Sequence, residues 1–163
     1  MQTMKRALLV AAMTGAAMTG MGGAMAAPAL AGEPTTVLMP EDPRARAFQE
    51  EFGYADAVIA GDTIYLSGVV AGPREGDDGL EPGFERAFQR IGATLARAGA
   101  SWADVVDLTT FHTDLRGSID ALAAVKNRHV KAPFPAWTAI GVSALYDPNA
   151  VVEIKVVARR AQR

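Results

Sequence analysis

The clearest periodicity in the chain lies between Phe84 and Ala98. Phe84, Phe88, Ile91, Leu95 and Ala98 recur at helical spacing, while Arg86, Gln89, Arg90 and Arg97 lie off that stripe. The spacing predicts a helix with one apolar face, and Gly99 is placed to end it. Upstream, the period changes to that of strands. Ala57-Val58-Ile59-Ala60 and the run from Thr63 to Val70 flank Gly61-Asp62, a pair that predicts a hairpin. The second run contains a polar Ser67 and then Gly68; a glycine inside a strand marks a bulge or the close approach of another group. Before the hairpin, residues 32–43 read as a lead-in with one apolar run, Val37-Leu38-Met39. Pro43 to Phe52 fits a short helix with Asp42 as N-cap, Pro43 at the first position and Gly53 at its end.

After the main helix, Val105 to Thr113 predicts a long β-branched strand, broken by Asp114 to Ser118. Ser118 is expected to cap a second helix, with Ile119, Leu122 and Val125 on one side, running to about His129. Phe134 to Val142 and Val151 to Arg159 then predict two strands joined by a turn around Asp147-Pro148-Asn149. Alternation along the last run puts Glu153, Lys155 and Val157 on one face and Val152, Ile154 and Val156 on the other. A carboxylate and an ammonium in an otherwise apolar strand imply that their face is wet or lines a cleft. The order β-β-α-β-α-β-β predicts an α+β domain with one sheet and two helices covering one face. The other face is left bare and of mixed polarity, which points to self-association.

Composition narrows the class. Half of the 163 residues are hydrophobic and the formal charge is −2, as for a single globular domain. No basic run follows the N-terminus, so nucleic-acid binding has no electrostatic footprint. Lys5-Arg6 precede an uncharged stretch from Ala7 to Ala31 that ends Ala29-Leu30-Ala31. A positive start, an apolar middle and an A-x-A ending predict a secretory signal over 1–31, cleaved before Gly32, and hence export, to a periplasm. The stretch is long enough to span a membrane, but its glycines and threonines make a poor anchor. After cleavage, no membrane association is expected. Removing Lys5 and Arg6 takes the formal charge of the remaining domain, 32–163, to −4. Without any cysteine there is no disulfide framework, so core packing or oligomerisation holds the domain together.

Several segments together carry a family resemblance. They are Gly53-Tyr54, Gly61-Asp62-Thr63-Ile64-Tyr65-Leu66-Ser67-Gly68, Ala98-Gly99-Ala100-Ser101 with Asp104-Val105-Val106, Phe134-Pro135-Ala136 and Val152-Glu153-Ile154. The ordered series, from about Tyr54 to Arg159, resembles the RidA family, also called YjgF/YER057c/UK114. The resemblance implies a chorismate-mutase-like α+β fold and a homotrimer with ligand clefts between subunits. It also implies hydrolysis of reactive imines and enamines to a carbonyl compound and ammonia, without cofactor or metal. In the archetype an arginine follows Phe-Pro-Ala and clamps the substrate carboxylate; here Trp137 stands there, with Thr138 and Ala139 in place of Ser and Cys. The water-orienting glutamate matches Glu153, and the cleft tyrosine and serine match Tyr54 and Ser67.

Trp137 offers one N–H and no charge, so it cannot replace a guanidinium fork. Either the cleft takes a neutral or aromatic substrate, or another cation substitutes. Lys155 is a candidate for ligand contact, although it could instead pair with Glu153. Trp137 could line the cleft or pack at a subunit interface. Tyr54 and Ser67 could orient a ligand or satisfy buried backbone groups. His112 has only His129 as companion and no cysteine, short of a metal site, so it reads as structural or exposed. A second functional class is a non-catalytic small-molecule-binding or stress-protective protein. A third, endoribonuclease activity, is opposed by the acidic charge.

Overall fold

The computed structural model describes residues 35–160; the expected signal sequence lies outside them. Asp42 accepts a hydrogen bond from the Ala45 N–H at 2.8 Å and Pro43 occupies the first turn of α1 (Pro43–Phe52), which ends at Gly53 in a left-handed conformation. The hairpin joins β2 (Ala57–Ala60) to β3 (Thr63–Leu66). Ahead of α1 the expected lead-in forms a strand, β1 (Thr35–Leu38), antiparallel to β2. The remaining elements are β4 (Val69–Ala71), α2 (Glu81–Arg97), β5 (Val105–His112), α3 (Leu115–His129), β6 (Ala136–Gly141) and β7 (Val152–Arg159).

Seven strands form one mixed sheet in the order β1-β2-β3-β7-β5-β6, with β4 following β3 alongside β7. α2 and α3 cover one face. Phe84, Phe88, Ile91 and Leu95 of α2 and Leu122 and Val125 of α3 are fully buried there. They meet Val152, Ile154, Val156 and Ala158, the inward-facing half of β7, also fully buried. On the other face Glu153 and Val157 are half-buried, Lys155 and Arg159 are exposed, and Tyr65, Val70 and Val106 present apolar surface. The alternation read from the sequence therefore sorts core from bare face.

Two local expectations are corrected. Phe134–Val142 and Val151–Arg159 are not a paired hairpin: β6 runs parallel to β5, and β7 lies on the opposite side of β5. α3 links β5 to β6 as a crossover, which places β6 at the sheet edge. The chain then passes over β5, and the more apolar β7 takes the centre. The second helix also begins earlier than Ser118. Asp114 caps it, accepting from the Gly117 N–H at 3.0 Å, whereas Ser118 is buried and its hydroxyl donates to the Asp114 carbonyl.

The single run from Thr63 to Val70 divides at Ser67-Gly68. Tyr65 lies opposite Val157 and Val69 opposite Ile154, so four steps on one strand answer three on β7. The extra residue is a bulge. Leu66 and Val69 consequently both point into the core, at 3% and 8% exposure.

Candidate active site

The bulge makes room for a carboxylate. A Cβ built on Gly68 would fall 1.8 Å from Oε1 of Glu153, so the glutamate side chain occupies the space where any other residue at 68 would begin. Close approach is the reason for this glycine. Ser67, the other bulge residue, donates its hydroxyl to the Ala55 carbonyl at 2.6 Å and its N–H to the Asp56 carbonyl at 3.0 Å. Its hydroxyl oxygen can still accept.

Glu153, Ser67 and Tyr54 line one cavity of about 980 Å³ beside β4, between α1, α2 and the loop at Tyr146 to Pro148. That is at the upper end of small-molecule pocket sizes. Among the described residues the Glu153 side chain makes no ion pair and no hydrogen bond, and Lys155 does not pair with it. A half-buried carboxylate without a partner retains its full capacity to accept from a ligand or a water.

One wall is aromatic. Phe48 and Phe52, one turn apart on α1, have ring centroids 4.6 Å apart. Tyr54 meets the Phe48 ring edge-on at 6.4 Å, and Tyr146 meets Phe52 edge-on at 5.9 Å. All four rings keep substantial exposed surface, from 41% for Phe48 and Tyr54 to 73% for Tyr146. Gln49 anchors α1 beneath them: its amide donates to Asp56 at 2.9 Å, while its Oε1 is buried without a partner.

Trp137, Thr138 and Lys155 are not among the residues lining this cavity. Trp137 is half-buried against the core on β6, and its indole N–H donates to the Thr110 hydroxyl at 3.1 Å. The ammonium of Lys126 lies 4.7 Å from the centre of its ring, and burial lowers the pKa of that lysine. Thr138 is exposed, opposite Thr109; Lys155 is exposed on the bare face of β7. Within one chain, therefore, the Glu153, Ser67 and Tyr54 cluster and the Trp137 region occupy separate places.

Behind Trp137 runs a buried relay. His112 Nδ1 lies 2.7 Å from Ser118 Oγ, and Nε2 lies 2.9 Å from Thr110 Oγ1. Because the Ser118 hydroxyl donates to Asp114, it accepts from His112 Nδ1; the Thr110 hydroxyl, 2.9 Å from Nε2 and 3.4 Å from the Thr138 carbonyl, gives its hydrogen to the nearer nitrogen. The ring is thus neutral, and burial lowers its pKa in the same direction. His112 is structural.

A family model described as Endoribonuclease L-PSP matches residues 44–160. The chain belongs to that family, the RidA or YjgF/YER057c/UK114 family. Among curated relatives is the RutC family protein YjgH of Escherichia coli K12, 42% identical over 114 residues, covering 67% of this chain and 84% of that protein. A 2-iminobutanoate/2-iminopropanoate deaminase of Dermatophagoides farinae is 31% identical over 114 residues, covering 64% and 83%. Among solved structures, a YjgF/YER057c/UK114 family member from Mycobacterium tuberculosis superposes with a TM-score of 0.66 at 26% identity, over 78% of this chain and all of that one. RidA-family membership brings with it the α+β, chorismate-mutase-like architecture described above.

Sequence reasoning did not reach Phe48, Phe52, Tyr146 or Arg90, all of which line the cavity. The only signal for the first two was their one-turn spacing on α1. Arg90 lies off the apolar stripe of α2, where a charge has no distinguishing signal.

Proposed function

We propose that this RidA-family chain hydrolyses reactive imines or enamines, with Glu153 orienting the attacking water. The observation that carries the reading is the unpartnered carboxylate of Glu153 fitted against Gly68, in one cavity with Ser67 and Tyr54. Water donates a proton toward Glu153 as its oxygen bonds to the iminium carbon. The C–N bond of the resulting carbinolamine then breaks, nitrogen leaves as ammonia with the proton held by the carboxylate, and the freed carboxylate takes up the hydroxyl proton as the carbonyl forms. The balance needs one water and no oxidant. The Ser67 oxygen can accept from the nitrogen and the Tyr54 hydroxyl can donate to the oxygen that becomes the carbonyl. A relative named as a 2-iminobutanoate/2-iminopropanoate deaminase supports this class of reaction.

The bare sheet face and the free edge at β6 support assembly as a homotrimer, in which β6 of a neighbouring copy would bring Trp137 and Thr138 toward this cavity. The N-terminal pattern supports export with removal of residues 1–31; N-terminal sequencing of secreted material tests it. For the reaction, imines are generated in situ and ammonia release is followed with wild type and Glu153→Gln. We expect wild type to exceed the spontaneous rate and the variant to fall back to it. If wild type accelerates no imine yet binds ketoacids or related small molecules, the chain is a non-catalytic binding protein of the same fold.

A further inference from the structure

The position that would carry a carboxylate-binding arginine holds Trp137, but the cavity of Glu153 has a cation of its own. Arg90 projects from the polar side of α2 and lines that cavity with Ser67, Glu153 and the aromatic wall. Its nearest acidic partner, Asp56, is 3.8 Å away. Asp56 is already engaged at 2.9 Å by both Arg97 and Gln49 and is only 11% exposed, against 59% for Arg90. Arg97 also donates to the Met39 carbonyl, tying α2 to the end of β1. Arg97 is thus the structural cation of this corner. Arg90 is held by that one long contact and keeps more than half its side chain exposed, so its guanidinium fork can donate to a second carboxylate in bidentate fashion.

Resting on the imine-hydrolase reading, we propose that Arg90 is the carboxylate anchor of this cavity and that it takes 2-imino acids bearing an aromatic or large apolar side chain. Three groups of different chemistry then meet three parts of one molecule. The fork of Arg90 binds the carboxylate, the Glu153–Ser67 side receives the iminium carbon and nitrogen, and Phe48, Phe52, Tyr54 and Tyr146 form the wall for the side chain. A small imino acid leaves that wall uncovered. An amine-derived imine has no group for Arg90.

The test uses the full chain as wild type, Arg90→Ala and Arg90→Lys. Substrates are the imine of phenylalanine, the imine of alanine and the carboxylate-free imine of phenethylamine, each formed in situ. We expect kcat/KM for the phenylalanine imine to exceed that for the alanine imine, and to drop about 10- to 100-fold in Arg90→Ala with partial recovery in Arg90→Lys. The phenethylamine imine should be indifferent to both changes. A parallel titration with phenylpyruvate, the ketoacid product, reads the anchor without catalysis: its Kd should rise in Arg90→Ala, whereas the melting temperature should not move.

Hydrolysis by wild type that is insensitive to Arg90, or equally reduced for all three imines, overturns the anchor and leaves the hydrolase reading standing. Arg90-dependent binding of phenylpyruvate without any hydrolysis overturns the reaction and leaves the anchor. Unchanged phenylpyruvate affinity in Arg90→Ala overturns the anchor whatever the kinetics show.

Discussion

Trp137, Thr110, His112 and Ser118 pass hydrogen bonds from one to the next until the last reaches a backbone carbonyl. Beside β4, by contrast, Glu153 touches no donor and Arg90 is held by a single long ion pair. Both regions place polar side chains against apolar surroundings. In the first, every group finds a partner inside the chain, which fastens β6 to β5 and to the start of α3. In the second, the acid has no side-chain partner among the described residues and the cation has one at 3.8 Å. Unmet hydrogen-bonding capacity in a cavity raises the affinity for something from outside; the same capacity fully met adds only to the fold.

Substitutions should separate the two regions, beginning with the largest effect. Replacing Glu153 with Ala should remove about 10²- to 10⁴-fold of imine-hydrolysing rate, the usual range for a general base, and shift folding stability by less than about 0.5 kcal/mol because no partner is orphaned. Ammonia release and urea denaturation read the two numbers. Loss of several kcal/mol of stability would show the carboxylate to be structural.

His112→Ala should do the reverse. It takes one hydrogen-bond partner from each of Thr110 and Ser118 and opens a void, at a cost of about 2–4 kcal/mol in denaturant melts, with kcat/KM of the residual folded protein near wild type. Gly68→Ala probes the contact between bulge and acid. The new methyl occupies the place of Oε1, and the flexible glutamate swings away. We expect about a 10-fold or greater loss of rate with the melting temperature within a few degrees of wild type.

The smaller effects concern the relay. Burial lowers the pKa of His112 in the folded chain, so below about pH 6.5 the unfolded chain takes up a proton that the native one refuses. Stability conferred by the neutral ring is therefore full above that pH and declines as pH falls, by at most about 1.4 kcal/mol per pH unit, until the native ring itself protonates. The decline should be absent in His112→Gln, compared by denaturation at several pH values. Trp137→Phe keeps the ring beneath Lys126 but deletes one donor to Thr110, for a loss of about 1 kcal/mol.

Elements whose signals are local were legible in the sequence. Asp42, Pro43 and Gly53 delimit α1 as read, and Phe84 to Leu95 bury the stripe that their spacing defines. Strand order was not legible, because nothing within residues 134–159 records that β5 will lie between β6 and β7. Tyr54, Ser67 and Glu153 were named through the family resemblance; that they share a cavity depends on β7 pairing with β4, a contact across more than eighty residues of chain. The other walls were hidden for a similar reason. Phe48 and Phe52 look like the apolar side of any short helix, Tyr146 like a loop residue and Arg90 like a solvated charge, until the fold brings them together.

The bulge at Ser67-Gly68 makes chain length matter more than composition at this point. Deleting one of these residues would leave Leu66 and Val69 two positions apart, on the core face as in an ordinary pleat, while closing the recess that the glutamate fills. Transplanting the acid onto another pair of strands would for the same reason require carrying the extra residue with it. A graft of the carboxylate alone would have nowhere to sit.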